Sequence, residues 1–238
     1  MWILYLNVQG WSNMKVSGFI AAVFAAAVLA ACSSEAPEEI EATGFTKSYE
    51  PLTFSELDVP VNIEVIDGIT YADGVLIVNK EIPLPADYNP EMQPEVIDAY
   101  TQLFEDAKEQ GLYFELVSGF RSYDYQAGLY NNYVARDGKE AADRYSAEPG
   151  HSEHQTGLAI DVGSYDSAVL LQTSFEYTPE FQWLKDIAHE YGFIIRYMKG
   201  KEDITGYMYE PWHLRYVGDK APAIYESGLT LEEYFELD

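Results

Sequence analysis

His154 and Asp161 stand seven positions apart and flank the turn Gln155-Thr156-Gly157. Asp161 lies inside GLAIDVG, a run that reads as a buried strand, so a reversal at Thr156-Gly157 would bring an imidazole and a carboxylate to one point. Zinc in catalytic sites takes three protein ligands, commonly histidine nitrogen and carboxylate oxygen, and leaves a position open. The chain has four histidines, so the third donor would come from His151, His189 or His213. His189 sits in FQWLKDIAHEYGF, whose apolar positions suffice to dock a helix, and reads as structural. His213 lies in EPWHLRYVG, three residues after Glu210, with Pro211 interrupting a regular ladder between them and Trp212 able to wall a cleft. A glutamate held beside a metal-ligating histidine is what a hydrolase needs to deprotonate an attacking water. Spacing alone leaves two readings open, a metal site or a chance cluster of polar loop residues.

Elements that could position these groups are visible in the pattern. Pro94–Gln110 places Val96, Ile97, Tyr100, Leu103, Phe104 and Ala107 at helical intervals with Gly111 beyond, which predicts a helix. LYFELVSGF, 112–120, reads as a strand that delivers Arg121 at its end, and Ser122 caps a second helix over 122–136. A short helix is expected at 139–145, a strand at 157–163 and a helix at 179–191 closed by Gly192. FIIRY and GYMYEPWHLRYVG give two further strands. From Pro51 to Pro85, short apolar runs bounded by Gly, Pro and Asp predict strands or extended cover segments. Helices and strands mix without a regular βαβ rhythm, so the class is α+β, an antiparallel sheet with flanking helices.

Composition narrows the partners. Forty acidic against 14 basic residues give a formal charge of −26, which repels nucleic-acid phosphates. A hydrophobic content of 47% and 20 tyrosines suit a folded domain rather than an acidic disordered tail. Residues 1–31 carry Lys15 and no acid, and their strongly apolar part, 19–31, falls short of the ~20 residues a spanning helix needs. They read as a secretory leader. Leu29-Ala30-Ala31-Cys32 resembles a bacterial lipobox, and Cys32 is the sole cysteine of the chain, which fits acylation at Cys32 and leaves no disulfide to propose. Met14-Lys15 supplies the positive charge that residues 1–13 lack, so translation is expected to start at Met14. Residues 32–50, rich in Ser, Glu, Ala and Thr, read as an acidic flexible tether, and 51–238 as the folded domain.

The motifs also carry a family likeness. Ser152-Glu153-His154-Gln155-Thr156-Gly157-Leu158-Ala159-Ile160-Asp161, followed by Glu210-Pro211-Trp212-His213, resembles the signature of bacterial zinc D-Ala-D-Ala carboxypeptidases. That group takes in the vancomycin-resistance enzymes and the cell-wall L,D-carboxypeptidases, within a wider set that includes lysostaphin-like peptidases and the hedgehog signalling domain. SGFRSYDYQ, 118–126, and VNKEIPLPADY, 78–88, extend the likeness from about residue 77 to the carboxyl end. The resemblance implies one zinc per chain held by His154, Asp161 and His213, with Glu210 as general base and Arg121 stabilising the carbonyl oxygen as it becomes an oxyanion. Gln126 and Ser152 match positions that hold the peptide terminus in L,D-acting members, Trp212 would line the substrate cleft, and His151 matches no ligand and reads as a rim residue. Of the five arginines, Arg215 is left between a structural ion pair and a second substrate contact. Met198 stands where the family pattern places proline, and residues 1–76 find no counterpart, so the lid over the cleft and its specificity stay unread.

The implied protein is a monomeric zinc metallocarboxypeptidase of hedgehog/DD-peptidase-like fold, anchored outside the cytoplasm through Cys32. It would remove the terminal D-alanine of peptidoglycan stem peptides by attack of a zinc-bound water. Whether it cuts the D-Ala-D-Ala end of a pentapeptide, the L,D bond of a tetrapeptide, or both, is open. The alternatives are a non-catalytic module binding cell-wall peptide, against which the retained Glu210 argues, and an endopeptidase cutting within cross-links.

Overall fold

The computed structural model describes residues 60–237. The leader with Met14, Lys15 and Cys32, the tether and residues 51–59 of the expected domain lie outside the described residues.

Three short strands come first: β1 (Ile63–Ile66), β2 (Ile69–Ala72) and β3 (Val75–Ile77), paired antiparallel in sequence order. Both hairpins turn on Asp-Gly with positive φ at each residue, Asp67-Gly68 and Asp73-Gly74. This is the two-residue turn whose twist matches the strands it joins.

Next come α1 (Pro94–Glu109), β4 (Phe114–Ser118), α2 (Tyr123–Asp137), α3 (Lys139–Ala142) and β5 (Ala159–Ser164). The chain continues through α4 (Pro179–Ile187), β6 (Phe193–Tyr197), α5 (Glu202–Thr205), β7 (Glu210–Tyr216), α6 (Ala221–Ser227) and α7 (Leu231–Tyr234). Strands β4, β5, β7 and β6 lie side by side in that order, each pair antiparallel. The fold is thus α+β with helices around an antiparallel sheet.

Side chains of a strand alternate between faces, and here that alternation separates core from chemistry. Phe114, Ile160, Val162, Phe193, Trp212 and Leu214 point to one face and pack with Val96, Leu103 and Ala107 of α1 and Phe181 and Leu184 of α4. Asp161, His213 and Arg215 are the alternate residues of β5 and β7, so they face the other way. On that side Ile194 joins a second apolar cluster with Val75 and Ile77 of the small sheet and Ile224, Leu231 and Phe235 near the carboxyl end.

Several expected boundaries shift. The helix expected to run to Tyr191 is α-helical only to Ile187, then tightens to a 3-10 turn at Ala188–Tyr191 that ends on Gly192 with φ 81°. The segment expected to be helical over 139–145 stops at Ala142. Ser122 does cap α2, its hydroxyl accepting from the Tyr125 amide at 3.3 Å. None of the described helices is long and apolar enough to cross a membrane.

Candidate metal centre and catalytic cleft

Sheet register aligns the site. Asp161 sits opposite His213 on β7 and opposite Ser118 on β4, so the carboxylate stands in the middle of a row across the sheet. Between Tyr197↔Glu210 and Ile195↔Leu214 the pairing slips. The irregularity falls at Pro211, which cannot donate to a ladder, and it leaves Glu210 and His213 both aimed at the same point. Four residues carry His154: the 3-10 turn Glu153–Thr156, closed by Gly157 at φ 69°. A Cβ on Gly157 would come within 1.9 Å of the Glu91 carbonyl oxygen, so only glycine allows this reversal.

His154, Asp161 and His213 are buried and each presents a donor atom within 4.8 Å of the others. His154 Nδ1 donates to the Gly119 carbonyl at 2.7 Å, which assigns Nε2 to the site. That Nε2 lies 3.2 Å from Asp161 Oδ2 yet has no aligned hydrogen-bond partner. His213 points Nδ1 at Asp161 Oδ1, 3.0 Å away. Both separations approach the ~3.3 Å expected between neighbouring ligands of tetrahedral zinc at ~2.0–2.1 Å. Two ring nitrogens, one of them the orphaned His154 Nε2, and one carboxylate therefore fit a zinc ion.

Electrostatics treat the two histidines differently: they leave the lone pair of His154 open and favour a proton on His213, which a ligating imidazole gives up when a metal binds. Burial, then the Arg121 guanidinium, push the His154 pKa down to about 4, keeping its imidazole neutral and its lone pair available. Burial alone would lower His213, but the Asp161 and Glu153 carboxylates outweigh it and raise its pKa to about 9. Burial likewise opposes ionised Asp161, yet the two histidines hold it well below the ordinary carboxylate range. Glu210 stands 3.9 Å from His213 Nδ1. Burial, reinforced by the Asp161 and Glu153 charges against the pull of His213 and Arg121, raises its pKa to about 8. A carboxyl displaced that far toward neutrality is suited to taking a proton and giving it back.

Arg121 lies 3.5 Å from Asp161 Oδ2, and its Nη1 donates to Gln126 Oε1 at 3.2 Å. Its Nε is buried without a partner. Gln126 is itself fixed, donating through Nε2 to the Ala147 carbonyl at 2.8 Å. A cavity of about 40 Å³ lined by Gln126, Ser152, Tyr207 and His154 adjoins one of about 540 Å³ lined by Asp161, Trp212 and Leu171, and Arg121 and Glu210 border both. Trp212 belongs mainly to the apolar core and reaches the larger cavity from its wall. A more apolar cavity of about 470 Å³ along β6 contains none of the metal donors and neither Glu210 nor Arg121.

The remaining histidines are elsewhere. His151 contacts the Asn79 carbonyl at 2.8 Å, and His189 stacks on Tyr225 with ring centroids 4.0 Å apart. Arg215 is fully buried, its Nη1 donating to Glu153 Oε1 at 2.8 Å, so it is a structural ion pair and not a substrate contact. Glu153, read in the sequence only as the spacer between Ser152 and His154, accepts from Arg196 Nε at 2.7 Å as well and faces His213 Nε2 at 3.0 Å. Arg196 in turn reaches Glu232 of α7, with Nη1 to Oε2 at 2.8 Å. The one sign the sequence offered was Arg196, a charge in the otherwise apolar run FIIRY of β6, which calls for a buried acid without saying which one.

Residues 89–219 match the family described as VanY: D-alanyl-D-alanine carboxypeptidase. Over 199 residues the chain is 43% identical to a protein of Bacillus subtilis (strain 168) named putative carboxypeptidase YodJ, covering 74% of this chain and 73% of that one. Among solved structures, the LdcB LD-carboxypeptidase, described for its peptidoglycan recognition, superposes with a TM-score of 0.67 at 46% identity, over 74% of this chain and 96% of that one. The vancomycin-resistance D,D-pentapeptidase VanY, solved as a mutant in complex with Zn(II), superposes with a TM-score of 0.58 at 34% identity, over 66% of this chain and 96% of that one.

Proposed function

Because the chain belongs to the VanY family of D-alanyl-D-alanine carboxypeptidases, we propose that it is a zinc enzyme removing the terminal D-alanine from peptidoglycan stem peptides, tetrapeptides before pentapeptides. The observation that carries this reading is the His154, Asp161 and His213 donor set with Glu210 beside it. Preference for the L,D bond is supported by the greater likeness to the LD-carboxypeptidase, 46% identical against 34% for the D,D-pentapeptidase. The small cavity beside Gln126 and Ser152, about 40 Å³, supports release of one residue with a methyl side chain rather than of a longer chain, and so favours an exopeptidase.

His154, Asp161 and His213 would hold one zinc, which when bound acts as a Lewis acid on the scissile carbonyl and lowers the pKa of a water to ~7. Glu210 takes the proton of the attacking water and passes it to the departing amine. Arg121 donates to the carbonyl oxygen as it gathers charge, a contribution often among the largest in acyl transfer. Gln126, already bonded to Arg121, keeps that guanidinium turned toward the cleft, and with Ser152 it holds the substrate's carboxyl end. No side chain needs to form a covalent bond to substrate.

Zinc-loaded protein spanning 33–238 should release D-alanine from a muropeptide tetrapeptide faster than from the pentapeptide, and chelation should stop both. A folded wild type that takes up no zinc, or turns over neither peptide, removes the reading. Equal rates would remove only the L,D preference.

Acylation of Cys32 after cleavage of the leader would place the enzyme outside the cytoplasm on a membrane surface, as a monomer on an acidic tether. The lipobox-like Leu29-Ala30-Ala31-Cys32 supports this. Cells expressing the full chain should hold it in the membrane fraction, and Cys32→Ser should shift it to the soluble fraction. A wild type already soluble would sink the anchor.

A further inference from the structure

Each metal-facing histidine has its second ring nitrogen occupied, and the two partners differ in kind. For His154 the partner is a backbone carbonyl, that of Gly119, at 2.7 Å. For His213 it is the carboxylate of Glu153, a side chain with no measurable exposure, 3.0 Å from Nε2. Glu153 has little freedom to move. Its Oε1 accepts from Arg196 Nε at 2.7 Å and Arg215 Nη1 at 2.8 Å, while Oε2 is left to His213. The two guanidiniums are themselves tied down, Arg196 by Glu232 and Arg215 by the carbonyl of Leu76 on β3. A carboxylate behind a ligating imidazole fixes its tautomer and orientation and makes it a stronger donor.

We infer that Glu153 is a positioning residue for His213, holding the Nε2–H end of the ring so that Nδ1 is the atom presented beside His154 Nε2 and Asp161. The two histidines would then bind the ion through opposite nitrogens. This assignment rests on the zinc reading of the site, but it is specific to a residue that touches neither substrate nor metal.

The wild-type protein alone gives one test. In long-range ¹H–¹⁵N spectra of the zinc-loaded chain, one site histidine should carry its proton on Nδ1 and the other on Nε2. Zinc attached to Nε2 of His213 overturns the inference while leaving the metal site standing, whereas failure of the wild type to bind zinc overturns both. Substitution gives the second test. Glu153→Gln should weaken zinc binding, measured by competition with a chromophoric chelator, by roughly 10–100-fold. Glu232→Gln removes a carboxylate from the same buried network without touching His213, and should leave zinc affinity unchanged. Equal weakening in both variants, or none in Glu153→Gln, would show the network to be merely structural. Should Glu153→Gln fail to fold, the tautomer pattern of the wild type decides.

Discussion

Replacing Glu210 with glutamine is expected to lower the rate of D-alanine release by roughly 10²–10⁴-fold, the span typical of a lost general acid–base, without loss of zinc or of fold. The separation of these effects follows from where Glu210 stands. It borders both cavities beside Arg121, but its carboxylate is outside the three-residue donor set, 3.9 Å from His213 Nδ1. Among the described residues no side chain donates a hydrogen bond to it, and burial pushes its pKa to about 8. A charge in that position costs stability, so its removal should leave the melting temperature level or higher. Turnover, zinc content and thermal unfolding of the same preparation make the check. Turnover within tenfold of wild type would exclude Glu210 as the base, and loss of zinc would make it a ligand. Mutating His154 should instead abolish zinc uptake and turnover together.

Why Glu210 and its partners could be picked out of the sequence while Glu153 could not is a matter of what a pattern records. His154, Asp161 and His213 are brought together by strand register and a single glycine-dependent turn, and both leave marks: GLAIDVG reads as a strand, and Gly157 follows the turn that carries His154. Helix α1 was equally legible, because its apolar stripe repeats over four turns. Glu153 shows nothing of the kind. A glutamate in a polar stretch looks solvated, and its burial depends on Arg196 and Arg215 arriving from strands far along the chain. Arg215 could be weighed but not decided, since an arginine two residues past a ligand shares its face whether it meets substrate or a buried acid. The carboxyl-terminal α6 and α7, seven and four residues long, are shorter than the window over which helical periodicity can be counted. They still supply Ile224, Leu231 and Phe235 to the second core and Glu232 to the ion network. Their role is set by packing against Ile194 and the small sheet, which no local pattern encodes.

That network carries the other large effect. Arg196→Met should destabilise the domain by about 3–5 kcal/mol, the usual cost of stranding a buried charge. At ~2–4 °C per kcal/mol for a domain of this size, the melting temperature should fall by about 6–20 °C. Arg196 is 2% exposed and serves two carboxylates, Glu153 and Glu232. Without it, Glu153 keeps only Arg215 among guanidinium partners, and Glu232 keeps a 3.4 Å contact from Asn79. Both acids then face each other's charge in a dry interior. The attraction of the intact pair is largely spent on its desolvation, so the penalty comes from the unpaired partner rather than from loss of a strong bond. A distinctive consequence is that Arg196→Met with Glu232→Met should be more stable than Arg196→Met alone, and the full cycle should return an interaction energy of about 0.5–3 kcal/mol. Urea unfolding of the four proteins of this cycle measures it. A single variant within about 1 kcal/mol of wild type, below the range for a stranded buried charge, would show that water reaches these carboxylates. A double variant no better than the single would show that Glu232 does not depend on Arg196. Since Glu153 touches His213, the single variant should also bind zinc less tightly in its folded fraction, whereas the double variant, which relieves Glu232 but not Glu153, should recover stability without recovering affinity.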